Sequence, residues 1–266
     1  MRKDFPQGFG IASEVVITNE TLRGFVIDIL SVKADGVTLA PIADLNKIDI
    51  DVILEKQGFQ PFALFTGYLD DYLTGLYAQS TFYEVVKTAR ALRYQIPINF
   101  EGVLKLGVKD NLRIKFKADL AAFTAIANAN SAISIESMTA IGNQTLLPKV
   151  IVYPYGNSET NFDKMLGSNV SKIVLATDFT AGYEASAKAK LSTLSLIADN
   201  FEDNSTEGVV FKNNASMLMN NPTNLVKNLV LYQNARIPLN NVKLRTKLTT
   251  GADTATKVIT TQWVQV

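Results

Sequence analysis

The chain is 266 residues long and 47% hydrophobic, with 26 basic and 25 acidic residues and a formal net charge of +1. It contains no histidine and no cysteine, which removes Ser-His-Asp and Cys-His catalysis, thiolate chemistry, disulfides and almost all zinc sites. The charge balance, close to even in both halves, lacks the basic excess that an extended phosphate-binding surface requires, so specific nucleic-acid binding is not expected.

The N-terminus, Met1-Arg2-Lys3-Asp4-Phe5-Pro6, has no apolar run of the kind that opens a signal peptide, and no later stretch is long and apolar enough for a membrane helix. The expectation is a soluble product of the cytoplasm, in which the Asn-x-Ser/Thr sequons at Asn19, Asn143, Asn169, Asn204 and Asn214 are chance matches. Met1-Arg2-Lys3 reads as a short basic arm that orders on a partner. Gly8-Phe9-Gly10 lacks the rest of a dinucleotide fingerprint, and no Walker-type G-K-[ST] occurs.

Strands are predicted at Glu14–Thr18 and Arg23–Val32. Ile48, Ile50, Val52 and Leu54 then alternate with Asp49, Asp51, Ile53 and Glu55, the period of a strand with one buried face. Asp49 and Asp51 share the other face. Paired carboxylates can exchange protons or hold a hard cation, and the competing account is a solvated strand face. Phe62–Tyr68 is a further strand, followed by Asp70-Asp71 in a predicted loop; Tyr68, Tyr72 and Tyr77 are the one aromatic set that could line a sugar-binding groove.

Thr81 and Glu84 form a T-x-x-E capping box, and Phe82, Val85, Val86, Ala89 and Leu92 recur at helical spacing, predicting a helix that ends before the strand Ile96-Pro97-Ile98-Asn99. Leu104, Leu106 and Val108 lead through Lys109-Asp110-Asn111 into Leu112, Ile114 and Phe116. That pattern predicts a hairpin with Lys105, Arg113, Lys115 and Lys117 on its polar face. This cationic stripe could meet phosphates, or it could discourage edge-to-edge pairing of strands. Leu120–Asn130 is Ala-rich and reads as helical.

Beyond Lys149–Tyr153, turn-forming residues cluster at Tyr155–Thr160. Strands follow at Lys172–Thr177, Lys190–Ile197 and Val209–Lys212. Asp199-Asn200-Phe201-Glu202-Asp203-Asn204 is the richest acidic cluster. It lacks the order of a calcium loop and reads as solvated, with structural Ca²⁺ as the other reading. Asn224–Gln233 is a second helix candidate. Val242–Thr250 and Thr256–Val266 flank Gly251-Ala252-Asp253 as a predicted terminal hairpin, with Trp263 in core or subunit packing.

The second half repeats the plan of the first. Ile237-Pro238-Leu239-Asn240 echoes Ile96-Pro97-Ile98-Asn99, and Lys190–Ile197 echoes Lys47–Leu54, in the same order along the chain. Such a period is far longer than a solenoid repeat and points to a duplicated domain. The expected architecture is mainly β: tandem β-sandwiches, a double jelly roll, with one short helix embedded in each half. The N-terminal jelly roll would span 1–155 and the C-terminal one 156–266. No catalytic residue, metal site or cofactor is assigned.

This layout resembles the double-jelly-roll major capsid proteins of membrane-containing icosahedral bacteriophages, of the corticovirus and Flavobacterium lipid-containing phage type. The residues that carry the resemblance are Gly24–Leu30 with Ile48–Glu55, the two I-P-[IL]-N segments with the helix candidates before them, and Val242–Arg245 with Thr261–Val264. The resemblance implies a virion protein with no enzymatic activity, three copies of which form a pseudo-hexagonal capsomer. Its partners would be itself, neighbouring capsomers and other capsid proteins, with Arg2 and Lys3 facing an internal membrane. A minor vertex or spike protein, a carbohydrate-binding tandem sandwich, and a carboxylate-dependent glycoside hydrolase are the competing readings.

Overall fold

The computed structural model describes residues 2–4, 13–32, 48–77, 83–87, 91–118, 132–156, 159–176, 191–199, 201–203, 228–249 and 256–266. Period-two alternation produces strands nearly throughout. The first nine are β1 (Arg2–Asp4), β2 (Ser13–Thr18), β3 (Thr21–Val32), β4 (Ile48–Glu55), β5 (Phe62–Tyr68), β6 (Tyr83–Lys87), β7 (Ala91–Lys105), β8 (Asn111–Ala118) and β9 (Ala132–Thr139). The others are β10 (Leu147–Pro154), β11 (Asn161–Gly167), β12 (Val170–Ala176), β13 (Leu191–Ala198), β14 (Phe201–Asp203), β15 (Asn228–Gln233), β16 (Val242–Leu248) and β17 (Lys257–Val264). Among the described residues one helix occurs, α1 (Leu69–Tyr77).

The chain divides into two compact units. One comprises Met1–Leu73, Ser80–Lys149 and Gln265–Val266; the other comprises Thr74–Gln79 and Val150–Val264. The strands form four antiparallel sheets with the orders β1-β9-β3-β7-β6, β2-β8-β4-β5, β10-β17-β12-β15 and β11-β16-β13-β14. With β6 set aside as an extra edge strand, ranking the remaining eight strands of each half in chain order gives sheets 1-8-3-6 and 2-7-4-5 in both halves. That paired ordering of eight strands is a jelly roll, and the chain contains it twice. The predicted echo of Lys47–Leu54 in Lys190–Ile197 falls on β4 and β13, which hold the same rank.

Each sandwich closes over the alternating apolar face of its strands. In the first, Phe25, Ile27, Ile50, Val52, Ile96, Ile98, Phe100 and Ile114 are fully buried, with Phe25 and Phe100 meeting edge to face at 6.0 Å. In the second, Leu175, Leu194, Leu196, Leu231, Leu244 and Val258 form one cluster with Tyr155 and Phe162, whose rings stack at 5.1 Å. Each fully buried side chain of this size contributes about 1.5–3 kcal/mol relative to exposure.

Several predicted elements are corrected. The segment read as a helix from the capping box is strand: Tyr83–Lys87 is β6, paired antiparallel with β7 so that Lys87 faces Leu92. Tyr83, Val85 and Val86 have the β-branched and aromatic character that favours a pleated surface, and pairing overrides the helical spacing. The second helix candidate is likewise strand over Asn228–Gln233, β15, where a short apolar run has no decisive period of its own. Pro97 sits inside β7 opposite Val26, so the proline expected to stop a helix lies within a strand.

Neither predicted hairpin exists. β7 and β8 lie in different sheets, as do β16 and β17, so each apparent hairpin is a crossing from one sheet of the sandwich to the other. Conversely, Asp70 and Asp71, expected in a loop, occupy the first turn of α1, where carboxylates favour the amide end of a helix. The predicted helix Leu120–Asn130 and strand Val209–Lys212 lie outside the described residues.

Candidate functional site

The carboxylate pair on β4 faces cations. The strand register sets Asp49 opposite Lys117 and Asp51 opposite Lys115 of β8, and Asp51 is buried. Next along the same face, Arg113 makes a bidentate contact with Glu14 at 2.9 and 2.7 Å and reaches Glu55 at 2.6 Å; Asn111 adds 3.3 Å to Glu55. The Arg113 contact holds the Glu55 carboxyl below its usual range, and the two glutamates hold Arg113 protonated. The cationic stripe is thereby divided. Arg113, Lys115 and Lys117 are matched by acids of β2 and β4, whereas Lys105 belongs to β7 in the other sheet.

The second jelly roll carries the same device. Its rank-seven strand, β16, alternates Lys243, Arg245 and Lys247 with buried Leu244 and Thr246, and Asp163 of the neighbouring β11 meets Lys243 at 3.1 Å and Arg245 at 3.0 Å. These contacts, led by the hydrogen bond from Lys243, lower the Asp163 pKa. The paired charges specify strand register, as expected for opposite charges on adjacent strands.

The remaining sequence candidates are scattered. Asp199 accepts from Asn241 Nδ2 at 2.8 Å, and its amide donates to the Asn240 carbonyl at 3.0 Å, so this end of the acidic cluster ties two turns together. Glu202 lies on β14, while Asn200 and Asn204 fall outside the described residues. Among the described residues no group of three or more carboxylates is placed to hold a metal ion. Tyr72 is buried and stacks on Phe65 at 4.5 Å, while Tyr68 is exposed, so the tyrosine set does not present one aromatic platform. Trp263 is half-buried on β17, its amide donating to the Asn169 carbonyl. Gly8-Phe9-Gly10 lies outside the described residues. Arg2 and Lys3 are not a free arm: they open β1, paired with Glu136 and Ile135 of β9.

The sequence reading missed the turn ends. In the first unit the turns β2–β3, β4–β5 and β7–β8 meet at one end of the sandwich, where the Asn19 amide donates to the Gly107 carbonyl and the Gln57 amide to Asp110 Oδ1. In the second unit the turns β11–β12, β13–β14 and β15–β16 meet in the same way, the Asn169 amide donating to Asn240 Oδ1. Asn19 and Asn169 both take left-handed backbone, with φ of 53° and 57°, a conformation asparagine tolerates well. The I-P-L-N segment of the second half lies in this turn and bridges back through Leu239 and Val170.

No known protein-family model matches the sequence. No curated protein matches it either. Among the solved structures it resembles, two share its fold over nearly their whole length. The crystal structure of the STIV MCP matches with a TM-score of 0.58 and 12% identity, over 98% of this chain and 93% of that one. The major capsid protein P2 from bacteriophage PM2 matches with a TM-score of 0.56 and 14% identity, over 100% and 98%. The chain is a double jelly roll. Both matches span nearly the full length of each partner, so the duplication and the whole fold are shared, not one sandwich alone.

Proposed function

We propose that this double jelly roll is a viral major capsid protein, a non-enzymatic shell subunit that assembles as a trimer into pseudo-hexagonal capsomers over an internal membrane. The observation that carries this reading is the end-to-end match to a bacteriophage major capsid protein, over 100% of this chain and 98% of that one. The site chemistry agrees with it. The charged ladders of Glu14, Arg113 and Glu55 and of Asp163, Lys243 and Arg245 are spent on strand pairing, and the chain lacks the histidine and cysteine of common catalytic sites. Two related sandwiches per chain make a trimer nearly six-fold, a shape that tiles a facet with one gene product.

Purified protein is expected to elute as a trimer or larger assembly by size-exclusion chromatography with light scattering, and to form shell-like particles or sheets by electron microscopy. A strict monomer at all concentrations would sink the proposal. Arg2 and Lys3 are proposed to lie toward the membrane: β1 is antiparallel to β9, so its first residue points to the end of the sandwich where β9 finishes at Thr139.

A further inference from the structure

Strand register makes the outer faces of β2-β8-β4 and β11-β16-β13 correspond row by row. In the first unit Val16, Arg113 and Ile53 form one row, and Glu14, Lys115 and Asp51 form the next. In the second unit the same rows read Met165, Lys243, Ile197 and then Asp163, Arg245, Ser195. The row after these sets Lys117 beside Asp49 in the first unit, and Lys247 beside Asn161 and Thr193 in the second. The contacts at the start of each column are kept as well. Asn111 Nδ2 donates to Glu55 at 3.3 Å and Asn241 Nδ2 donates to Asp199 at 2.8 Å, while Glu14 meets Arg113 at 2.7 Å as Asp163 meets Lys243 at 3.1 Å.

Against this close correspondence one pair of residues has changed: Thr193 and Ser195 stand where Asp49 and Asp51 stand. In the first unit Glu14, Asp49, Asp51 and Glu55 answer Arg113, Lys115 and Lys117, so acids outnumber the cations of the column. In the second unit β13 carries no acid, and the single carboxylate of β11, Asp163, is divided between Lys243 at 3.1 Å and Arg245 at 3.0 Å. Glu202 of β14 lies in the row of Lys243 but beyond Ile197, and Asp199 is engaged by Asn241. Lys247 has no acid in its row. The excess charge also faces solvent: Asp51 is buried, whereas the Arg245 side chain is 54% exposed and Lys247 is exposed.

We propose that the outer face of β16 binds an extended acidic segment of a partner protein, whose carboxylates give Lys243, Arg245 and Lys247 the counter-charge that Asp49 and Asp51 give the equivalent column of the first unit. The first unit is the argument for a polypeptide. There the complement of the column is a strand with aspartates two residues apart, the same interval as the cations. Alternate residues of an extended chain recur about every 7 Å, so carboxylates on such a segment meet the column in step. Thr193 and Ser195 contribute hydroxyls and Asn161 an amide, all able to donate to a carboxylate where a resident aspartate would repel it. A solvent-exposed face of this kind binds by charge matching and is sensitive to salt. The inference stands on the strands of the second unit alone and does not depend on the shell reading.

The full chain is titrated into a fluorescein-labelled peptide of alternating Glu and Thr, with the matching Gln and Thr peptide as control, and binding is read by fluorescence anisotropy at low and high salt. Wild type is expected to prefer the Glu peptide and to lose that preference as salt rises. Arg245→Gln and Lys247→Gln should each weaken binding about two- to fivefold, the range of one exposed ion pair. Two further variants keep all three cations. Thr193→Asp with Ser195→Asp, which restores the pattern of the first unit, should weaken binding about tenfold, the loss of roughly two such pairs. Asp163→Asn, which releases Lys243 and Arg245, should strengthen it about twofold or more. Lys109→Gln, in the β7–β8 turn of the first unit, should bind as wild type. No preference for the Glu peptide, undiminished binding by the double aspartate variant, or weaker binding by Asp163→Asn with an unchanged thermal midpoint overturns the proposal. So does binding of inorganic polyphosphate to this column when the Glu peptide does not bind, which would assign the face to phosphates.

Discussion

At the scale of single residues, two backbone-anchored acids report most directly on how the fold is held. Glu101 has φ of 51°, left-handed backbone in an exposed residue with no glycine freedom, and its amide donates to Asn99 Oδ1. The irregularity it creates lets β7 skip from pairing at Asn99 to pairing at Leu104. Glu101→Gly should be tolerated or slightly stabilising, whereas Glu101→Val should cost about 1–2 kcal/mol, read as a lower denaturant midpoint. Asp110 is held below the usual carboxylate range by the amides of Gly107 and then Gln57. A carboxylate whose folded pKa is depressed contributes stability above its unfolded pKa of about 4 and loses it as pH falls through the folded value. Asp110→Asn should therefore lower the thermal midpoint at pH 7 and flatten its decline between about pH 5 and pH 2; an unchanged acid limb would exclude Asp110 from that decline.

At the scale of elements, the period-two signal was legible and the sheet to which a strand belongs was not. Ile48–Glu55 and Leu112, Ile114 and Phe116 were readable as buried faces, because burial follows alternation residue by residue. Strand partners depend on long-range pairing, so Leu104–Phe116 looked like a hairpin although its arms lie in opposite sheets. Val108 continues the alternation of Leu104 and Leu106 and is nonetheless exposed, since Gly107 has already begun the turn. Helix α1 escaped because its nine residues are too few to establish a period, and tertiary contacts hold it. A Cβ on its Gly75 would lie 2.4 Å from a Val150 methyl, a contact no real side chain makes. Gly75→Ala should thus destabilise by about 1–3 kcal/mol despite the better helix propensity of alanine, and Val150→Ala should recover part of the loss in a double-mutant cycle.

At the scale of the whole molecule, duplication explains the fold, and the departures from duplication show where the halves are not interchangeable. Both halves share strand ranks, the left-handed asparagine after the second strand and an acid-to-cation ladder on the seventh, yet β6 occurs in the first sandwich alone among the described residues. The second unit, in turn, includes Thr74–Gln79 from the first half of the sequence. Buried Lys172 of β12 donates to the Leu76 carbonyl, and Thr261 donates to the Gly75 carbonyl at 2.6 Å, so two sheet residues satisfy the final turn of α1, where cations are favoured. In the full chain Lys172→Met should cost about 1–3 kcal/mol, because a charged donor to a buried carbonyl is lost. In a chain beginning at Leu147, which holds all eight strands of the second jelly roll but not α1, water replaces that carbonyl and the same substitution should cost nothing. Denaturation of the four proteins closes the cycle. Equal losses in both contexts would show that Lys172 acts within its own sheet, while a loss confined to the full chain would show that the second jelly roll is completed by a segment the duplication did not supply.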